Sequence, residues 1–160
     1  MKVMGWVALF VLAIATVLAS QLGFLSGKPP IDLGVHNGRL LQPSATANSV
    51  SSQAGLYPAH PQRGYADIAA LGFTGSSEAA MHKLTAIVKS TERCTLVKQE
   101  ADYLYAQCST ALLRFTDDVE FWLNAKTNVI ELRSASRLGQ RDWGVNRARL
   151  EKIRAQFAKN

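Results

Sequence analysis

Residues 116–136 read TDDVEFWLNAKTNVIELRSAS, two runs whose side chains alternate between apolar and polar, joined by the turn-forming NAKTN. A period of two is the pattern of a β-strand with one face in the core, so the stretch is a hairpin whose register follows from that face. With Val119, Phe121 and Leu123 pointing inward on the first strand, Ile130 and Leu132 point inward on the second. Asp118, Glu120 and Trp122 then share the far face with Glu131 and Arg133. Glu120 comes across from Arg133, expected as a solvent-exposed cross-strand pair worth about 0.2–1 kcal/mol.

Upstream, CTLVKQE and DYLYAQCS flank a short polar turn at residues 100–102, which makes another hairpin with Cys94 and Cys108 on its two strands. A three-residue turn with Asp102 in the left-handed region sets the cysteines opposite each other and allows a disulfide. A two-residue turn sets them on opposite faces, as two buried thiols. Before this hairpin, Ala80, Met81, Leu84, Ile87 and Val88 recur at helical spacing over about residues 77–90, behind Ser76 or Ser77 as cap. After the sheet, Leu150, Ile153 and Phe157 form a similar stripe that Asn146 continues by one turn. Asp142 is a candidate N-terminal cap for this last helix, and Glu151 lies between Arg147 and Arg154. The order helix, four strands, helix predicts an α+β domain, an antiparallel sheet of about four strands with two helices packed on one face.

No charged residue occurs from Val3 to Gly27, a run of 25 residues, against about 20 needed by an α-helix to cross the hydrocarbon core. The expectation is an uncleaved membrane anchor through residues 3–25. The competing reading is a cleaved signal peptide, with Lys2 as its basic start and Val17-Leu18-Ala19 as the cleavage site. The chain divides into an anchor or signal peptide at 1–27, a loop-rich lead-in at 28–64 and the α+β domain at 65–160. All 5 prolines fall in the lead-in. Its apolar residues, Leu33, Val35, Leu40, Val50 and Leu56 among them, are too many for a solvated linker, so it is expected to follow a fixed path over the domain surface. An anchor places the domain on the periplasmic side of the inner membrane; cleavage would leave it soluble in the periplasm.

Lys and Arg number 18 against 12 Asp and Glu. Residues 131–160 hold eight basic and three acidic side chains, whereas residues 100–120 carry Glu100, Asp102, Asp117, Asp118 and Glu120 against Arg114 alone. The two segments can face each other. Export sets nucleic acid aside as a partner despite the basic balance.

His36, His60 and His82 are scattered and the cysteines are 14 apart, so the spacings of metal sites are missing and no metal or cofactor is expected. There is no phosphate-cradling glycine loop and no GxSxG elbow. Asn48-Ser49-Val50-Ser51-Ser52-Gln53 reads either as a ligand loop with a nucleophilic serine or as side chains hydrogen-bonded to backbone in an irregular segment. A hydrolase would also need a base, and no histidine is close by in sequence. Asp117-Asp118-x-Glu120 has oxygen ligands for a cation but neither the glycine turn nor the ligand count of a calcium loop, which favours a solvated bend. Arg147, Arg149, Lys152 and Arg154 flank the apolar stripe of the last helix and would suit anionic lipid, although so narrow a stripe also suits packing.

GKPPIDLGVHNGRL, NSVSSQA, DYLYAQ, RFTDDVEFW and VIELRSASRLGQRDWGVNRARLEKIR resemble the domain of unknown function 1499 family, over about residues 27–157. The resemblance implies a small domain, often behind an export or membrane segment, in bacterial envelopes and chloroplast relatives. It implies placement and no mechanism. Many relatives carry cysteine in a PNC-type version of the loop where this chain has Ala47-Asn48-Ser49, so a thiol at that point is not essential here. The recurrent motifs map onto Asn48, Ser51, Ser52, Asp118, Glu120, Arg133, Ser134, Ser136, Arg137, Asp142, Asn146 and Arg147. These form either a binding site or a buried polar network. The expected function is a non-catalytic envelope domain that binds a partner protein or a small anionic ligand beside the membrane. A hydrolase using the serine loop and a lipid-surface module using the basic helix are the alternatives.

Overall fold

The structure, a computed structural model, describes residues 2–159, so Met1 and Asn160 lie outside it. Its elements in chain order are α1 (Lys2–Gln21), β1 (Ser49–Ser51), α2 (Arg63–Ala66), β2 (Leu71–Gly72), α3 (Ser77–Ser90), β3 (Cys94–Gln99), β4 (Tyr103–Ser109), β5 (Thr116–Asn124), β6 (Val129–Ser136) and α4 (Val145–Phe157). The two hairpins join into an antiparallel meander, and the sheet runs β1-β6-β5-β4-β3 with β2 also on β6. The sheet therefore has six strands where four were expected, and the described residues contain four α-helices, the leader helix α1 and three behind it where two were expected. The extra strands are three and two residues long, too short for a period to show, and they share the outer edge of β6. The extra helix, α2, is a single four-residue turn around Gly64.

In the second hairpin the register is the one that the alternation dictates, with Glu120 opposite Arg133, Phe121 opposite Leu132 and Leu123 opposite Ile130. Leu104, Ala106, Val119, Phe121, Ile130 and Leu132 face α3 and α4, which contribute Met81, Leu84, Val88, Leu150, Ile153 and Phe157 to the same core. Ser76 caps α3 by accepting from the Ala79 amide at 3.2 Å.

The first hairpin does not take the three-residue turn. The Glu100 amide donates to the Tyr103 carbonyl at 2.8 Å, so Ala101 and Asp102 form the turn in the register of the two-residue alternative, and Asp102 does not take a positive φ. Alone, this register would set Cys94 one residue out of step with Cys108, as expected of a two-residue turn. A bulge between Leu96 and Lys98 restores the register, so that Cys94 stands opposite Cys108 and the two are disulfide-bonded.

The far face of the sheet is covered, not solvated. The lead-in crosses it, and Leu40, 2% exposed, packs with Leu33, Val35 and Trp122 against Tyr103 and Tyr105. Beyond Leu40 the lead-in turns inward, β1 pairs with β6, and Val50 enters the main core. The segment is thus more than a surface path; it forms a third layer and a sheet edge.

The α1 helix has 20 residues, about 30 Å at 1.5 Å per residue. It is long and apolar enough to cross a membrane, and a signal sequence has the same character. Its end lies against the domain, where Gln21 Nε2 donates to the Leu112 carbonyl at 3.0 Å.

The Cys94–Cys108 bridge ties edge strand β3 to the meander across a separation of 14 residues, a loop worth about 3 kcal/mol. Replacing both cysteines by alanine is expected to lower the urea midpoint by a corresponding amount. Unreduced, unfolded protein should take up no thiol reagent; full labelling would contradict the bridge.

Candidate functional site

Three carboxylates fall within four residues of β5, and all are buried: Asp117 and Asp118 are 1% exposed and Glu120 is 0%. Strand alternation sends Asp118 and Glu120 toward the lead-in and Asp117 toward α4. Each meets an arginine from farther along the chain. Arg133 reaches Glu120 at 3.1 Å, Arg137 reaches Asp118 at 2.7 Å and Arg149 reaches Asp117 at 2.6 Å. The acidic and basic segments do face each other, but the exposed cross-strand pair and the solvated bend are both corrected. The lead-in covers one side of β5 and α4 closes the other.

Burying an ion costs several kcal/mol unless its remaining lone pairs are also satisfied. Glu120 Oε1 accepts from the Tyr103 hydroxyl and from the Gly34 amide, both at 2.8 Å. Gly34 has φ +115, a backbone conformation that glycine adopts without strain. Asp118 accepts from Arg137 through two nitrogens and from the Tyr105 hydroxyl at 2.6 Å. Burial pushes the Tyr103 phenol far above its ordinary value, and neighbouring Glu120 adds to this. Burial and the bond to Asp118 likewise raise Tyr105. Both phenols stay protonated as donors.

A second network joins the start of α4 to β6 and to the residue before β1. Asn146, 0% exposed, accepts from the Ser134 hydroxyl, and its amide nitrogen donates to the Asn48 carbonyl at 3.1 Å and to Ser136 Oγ at 3.0 Å. Asn48 Nδ2 donates to the Gly139 carbonyl at 2.6 Å, and the Ser136 hydroxyl donates to Asp117 at 2.5 Å. Asp142 accepts from the Tyr65 hydroxyl and from the amides of Gly144 and Asn146. The N-cap position itself is Gly144, so Asp142, expected at the cap, serves an amide of the first turn of α4 from two residues before it. Burial acts to raise its carboxyl pKa, but these donors outweigh it and hold the group below the usual carboxylate range. Asn48 Oδ1 and Arg133 Nε are buried without a partner.

The structure therefore brings Asn48, Ser134, Ser136, Asp142 and Asn146 into one cluster and Asp118, Glu120, Arg133 and Arg137 into another on the opposite face. Ser51 Oγ accepts from the Gln53 amide at 3.1 Å. The Ser52 hydroxyl donates to Glu131 at 2.5 Å and accepts from the Leu132 amide at 2.9 Å. Neither serine bonds an imidazole. Arg147 departs from the expected ladder: Glu151 pairs with Arg154, whereas Arg147 donates to the carbonyls of Tyr65 and Asp67. Among the four cations assigned to a lipid-facing helix, only Lys152 is exposed and outside these pairings; Arg154 also donates to the Ala70 carbonyl.

Tyr65, Tyr103 and Tyr105 are the members that sequence reasoning missed, because tyrosine in an alternating strand or a loop reads as an apolar group. The alternation of Tyr103 and Tyr105 with core residues Leu104 and Ala106 was the available signal for a second packed layer. Also missed was a cavity of about 380 Å³ between the β4–β5 loop, the segment after β6 and the first turn of α4. Asp117, Ser136 and Asp142 line its polar side, and Leu112, Leu138, Trp143 and Val145 its apolar side. Among the described residues no group of three His, Cys, Asp or Glu side chains is arranged to hold a metal.

Arg133→Met should destabilise the protein by about 3–5 kcal/mol, because it strands Glu120 as an unpaired buried charge. Adding Glu120→Gln to the same chain removes that charge while keeping an acceptor for Tyr103 and Gly34, and should recover much of the loss in urea titrations. A cost under about 1 kcal/mol for Arg133→Met would be that of an exposed pair and would contradict this arrangement.

A search of the curated proteins finds no match. The sequence profile described as Protein of unknown function (DUF1499) matches residues 39–157, from the lead-in that covers the sheet to the end of α4. The resemblance also took in residues 27–38, which lie outside the matched range. With the three-layer core and both polar networks inside or directly beside that range, the chain belongs to the DUF1499 family.

Proposed function

We propose that this chain is a membrane-anchored envelope domain that binds a ligand and catalyses no reaction, with the cavity beside α4 as its binding site. The anchor is α1, which puts the domain on the periplasmic side of the inner membrane. The Cys94–Cys108 bridge supports an oxidising compartment of this kind.

The observation that carries the binding reading is how the polar groups divide. Arg133, Arg137 and Arg149 are spent on buried carboxylates, and Ser51 and Ser52 on backbone groups and Glu131. Those residues hold the frame. The cavity instead offers an apolar wall, a polar wall and, on its lining, the exposed Arg141, which makes no ion pair among the described residues. A ligand with an apolar body and an anionic end matches that lining, the anion meeting Arg141 at the mouth. Hydrolysis has less support, since neither serine bonds an imidazole, and Ser52, which donates to the Glu131 carboxylate, also accepts from the Leu132 amide as part of the sheet edge.

Native mass spectra of the full chain, released gently from its own envelope, test the reading. A discrete bound mass is expected, lost in Leu138→Arg and kept in Ser51→Ala and Ser52→Ala. A bare wild-type chain, or a bound mass indifferent to Leu138→Arg, would contradict the cavity as the site.

A further inference from the structure

The geometry points to a membrane phospholipid as the occupant of this cavity, entering from the bilayer that holds α1, with an acyl chain on the apolar wall and the phosphate at the basic rim. The inference rests on the anchored binding domain proposed above and names its ligand class.

Three independent features converge on the cavity. The first is the distribution of exposed apolar surface. Among the described residues beyond residue 30, seven large apolar side chains are exposed, and four of them, Leu112, Leu138, Trp143 and Val145, line this one cavity. Scattered exposed apolar groups need no explanation, but a cluster around a concavity marks an interaction surface.

The second is position. Gln21 and Ser20, at the end of α1, hydrogen-bond the carbonyl of cavity-lining Leu112 at 3.0 and 3.5 Å. A helix of this length spans the hydrocarbon and little more, so a residue touching its last turn lies at the bilayer surface. The chain then returns to the cavity rim at once. Gly27 packs so closely on Arg137 and Leu138 that a Cβ there would stand 2.8 Å from the Arg137 Cβ. No tether separates the cavity from the membrane, and exposed Leu22 and Phe24 continue the apolar surface from helix to rim.

The third is charge. On the segments that meet here, residues 20–30, 110–116 and 137–145, the exposed charged side chains are Lys28, Arg114 and Arg141, all basic. Asp142 on the same segments is buried and hydrogen-bonded. Arg141 on the lining of an apolar mouth, with Lys28 and Arg114 on the adjoining segments and exposed Asp32 just beyond them, suits a lipid phosphate, and Trp143, 87% exposed, is the side-chain type enriched at membrane–water interfaces. A neutral peptide would use the apolar wall but leave Arg141 without a partner, and an acidic one would gain nothing from the place beside the bilayer.

The test uses full chains in vesicles of phosphatidylcholine and phosphatidylglycerol with brominated acyl chains, which quench nearby indoles. One form keeps Trp143 alone (Trp6→Phe with Trp122→Phe) and another keeps Trp6 alone (Trp122→Phe with Trp143→Phe). Both indoles should lose most of their emission. Adding Leu112→Asp and Leu138→Asp, at two exposed positions, should restore the Trp143 emission and leave Trp6 quenched in its own form. Quenching of Trp6 without Trp143 would overturn the lipid inference while the anchor stands, and so would Trp143 quenching that survives both aspartates. If neither indole is quenched, the anchor reading falls and takes this inference with it. Native mass spectra of chain taken from the vesicles should show one added phospholipid; a different bound compound carried over from the cell would overturn the inference and leave the binding domain intact.

Discussion

Glu120 is a carboxylate with no solvent exposure in the middle of a sheet, and the rest of the fold is arranged so that it can remain there. Its charge is balanced by Arg133 from the next strand, and its other contacts come from Tyr103 on the preceding strand and Gly34 of the lead-in. None of these donors is local in sequence. The sheet must take its register, and the lead-in must close over it, before the carboxylate is satisfied. A half-formed network leaves a buried charge with unmet lone pairs, which is a worse state than an apolar one. That asymmetry ties residues 28–57 to the domain, although their composition of proline, glycine and serine suggests a tether.

The second network works in the same way at the opposite face. Asn146 sits where an apolar stripe would call for leucine, and it joins α4 to β6 and to the backbone just before β1. Asp117, Arg149 and Ser136 close the space beneath it. Together the two networks consume most of the residues that first suggest chemistry. Asp117, Ser136 and Asp142 of the second network also form the polar wall of the cavity beside α4, so the surface proposed to bind a ligand is built partly on the groups that fix the geometry.

Much of this was legible in the sequence, and the failures have specific causes. The alternation in residues 116–136 gives the right pairing of Glu120 with Arg133 but the wrong environment, since a polar face reads as a wet one whenever its cover is irregular chain. Leu33, Val35 and Leu40 were the clue to that cover, and Tyr103 and Tyr105 to what it covers. The two short strands on β6 carry no period at all. In the first hairpin a turn in the two-residue register and a bulge between Leu96 and Lys98 cancel at the cysteines, so the opposition of Cys94 and Cys108 arises by a route that turn chemistry alone does not predict. Cavities depend on how loops from three places meet, and sequence has no pattern for that.

The lead-in is a packed layer over charged groups, and amide hydrogen exchange in the full chain tests this most directly. The amides of Gly34 and Leu40, which donate to Glu120 and to Gln53, should exchange as slowly as those in the middle of β5. Exchange of these two at rates typical of unstructured chain, with β5 still protected, would mean that the lead-in is a loose tether and that Glu120 is not enclosed.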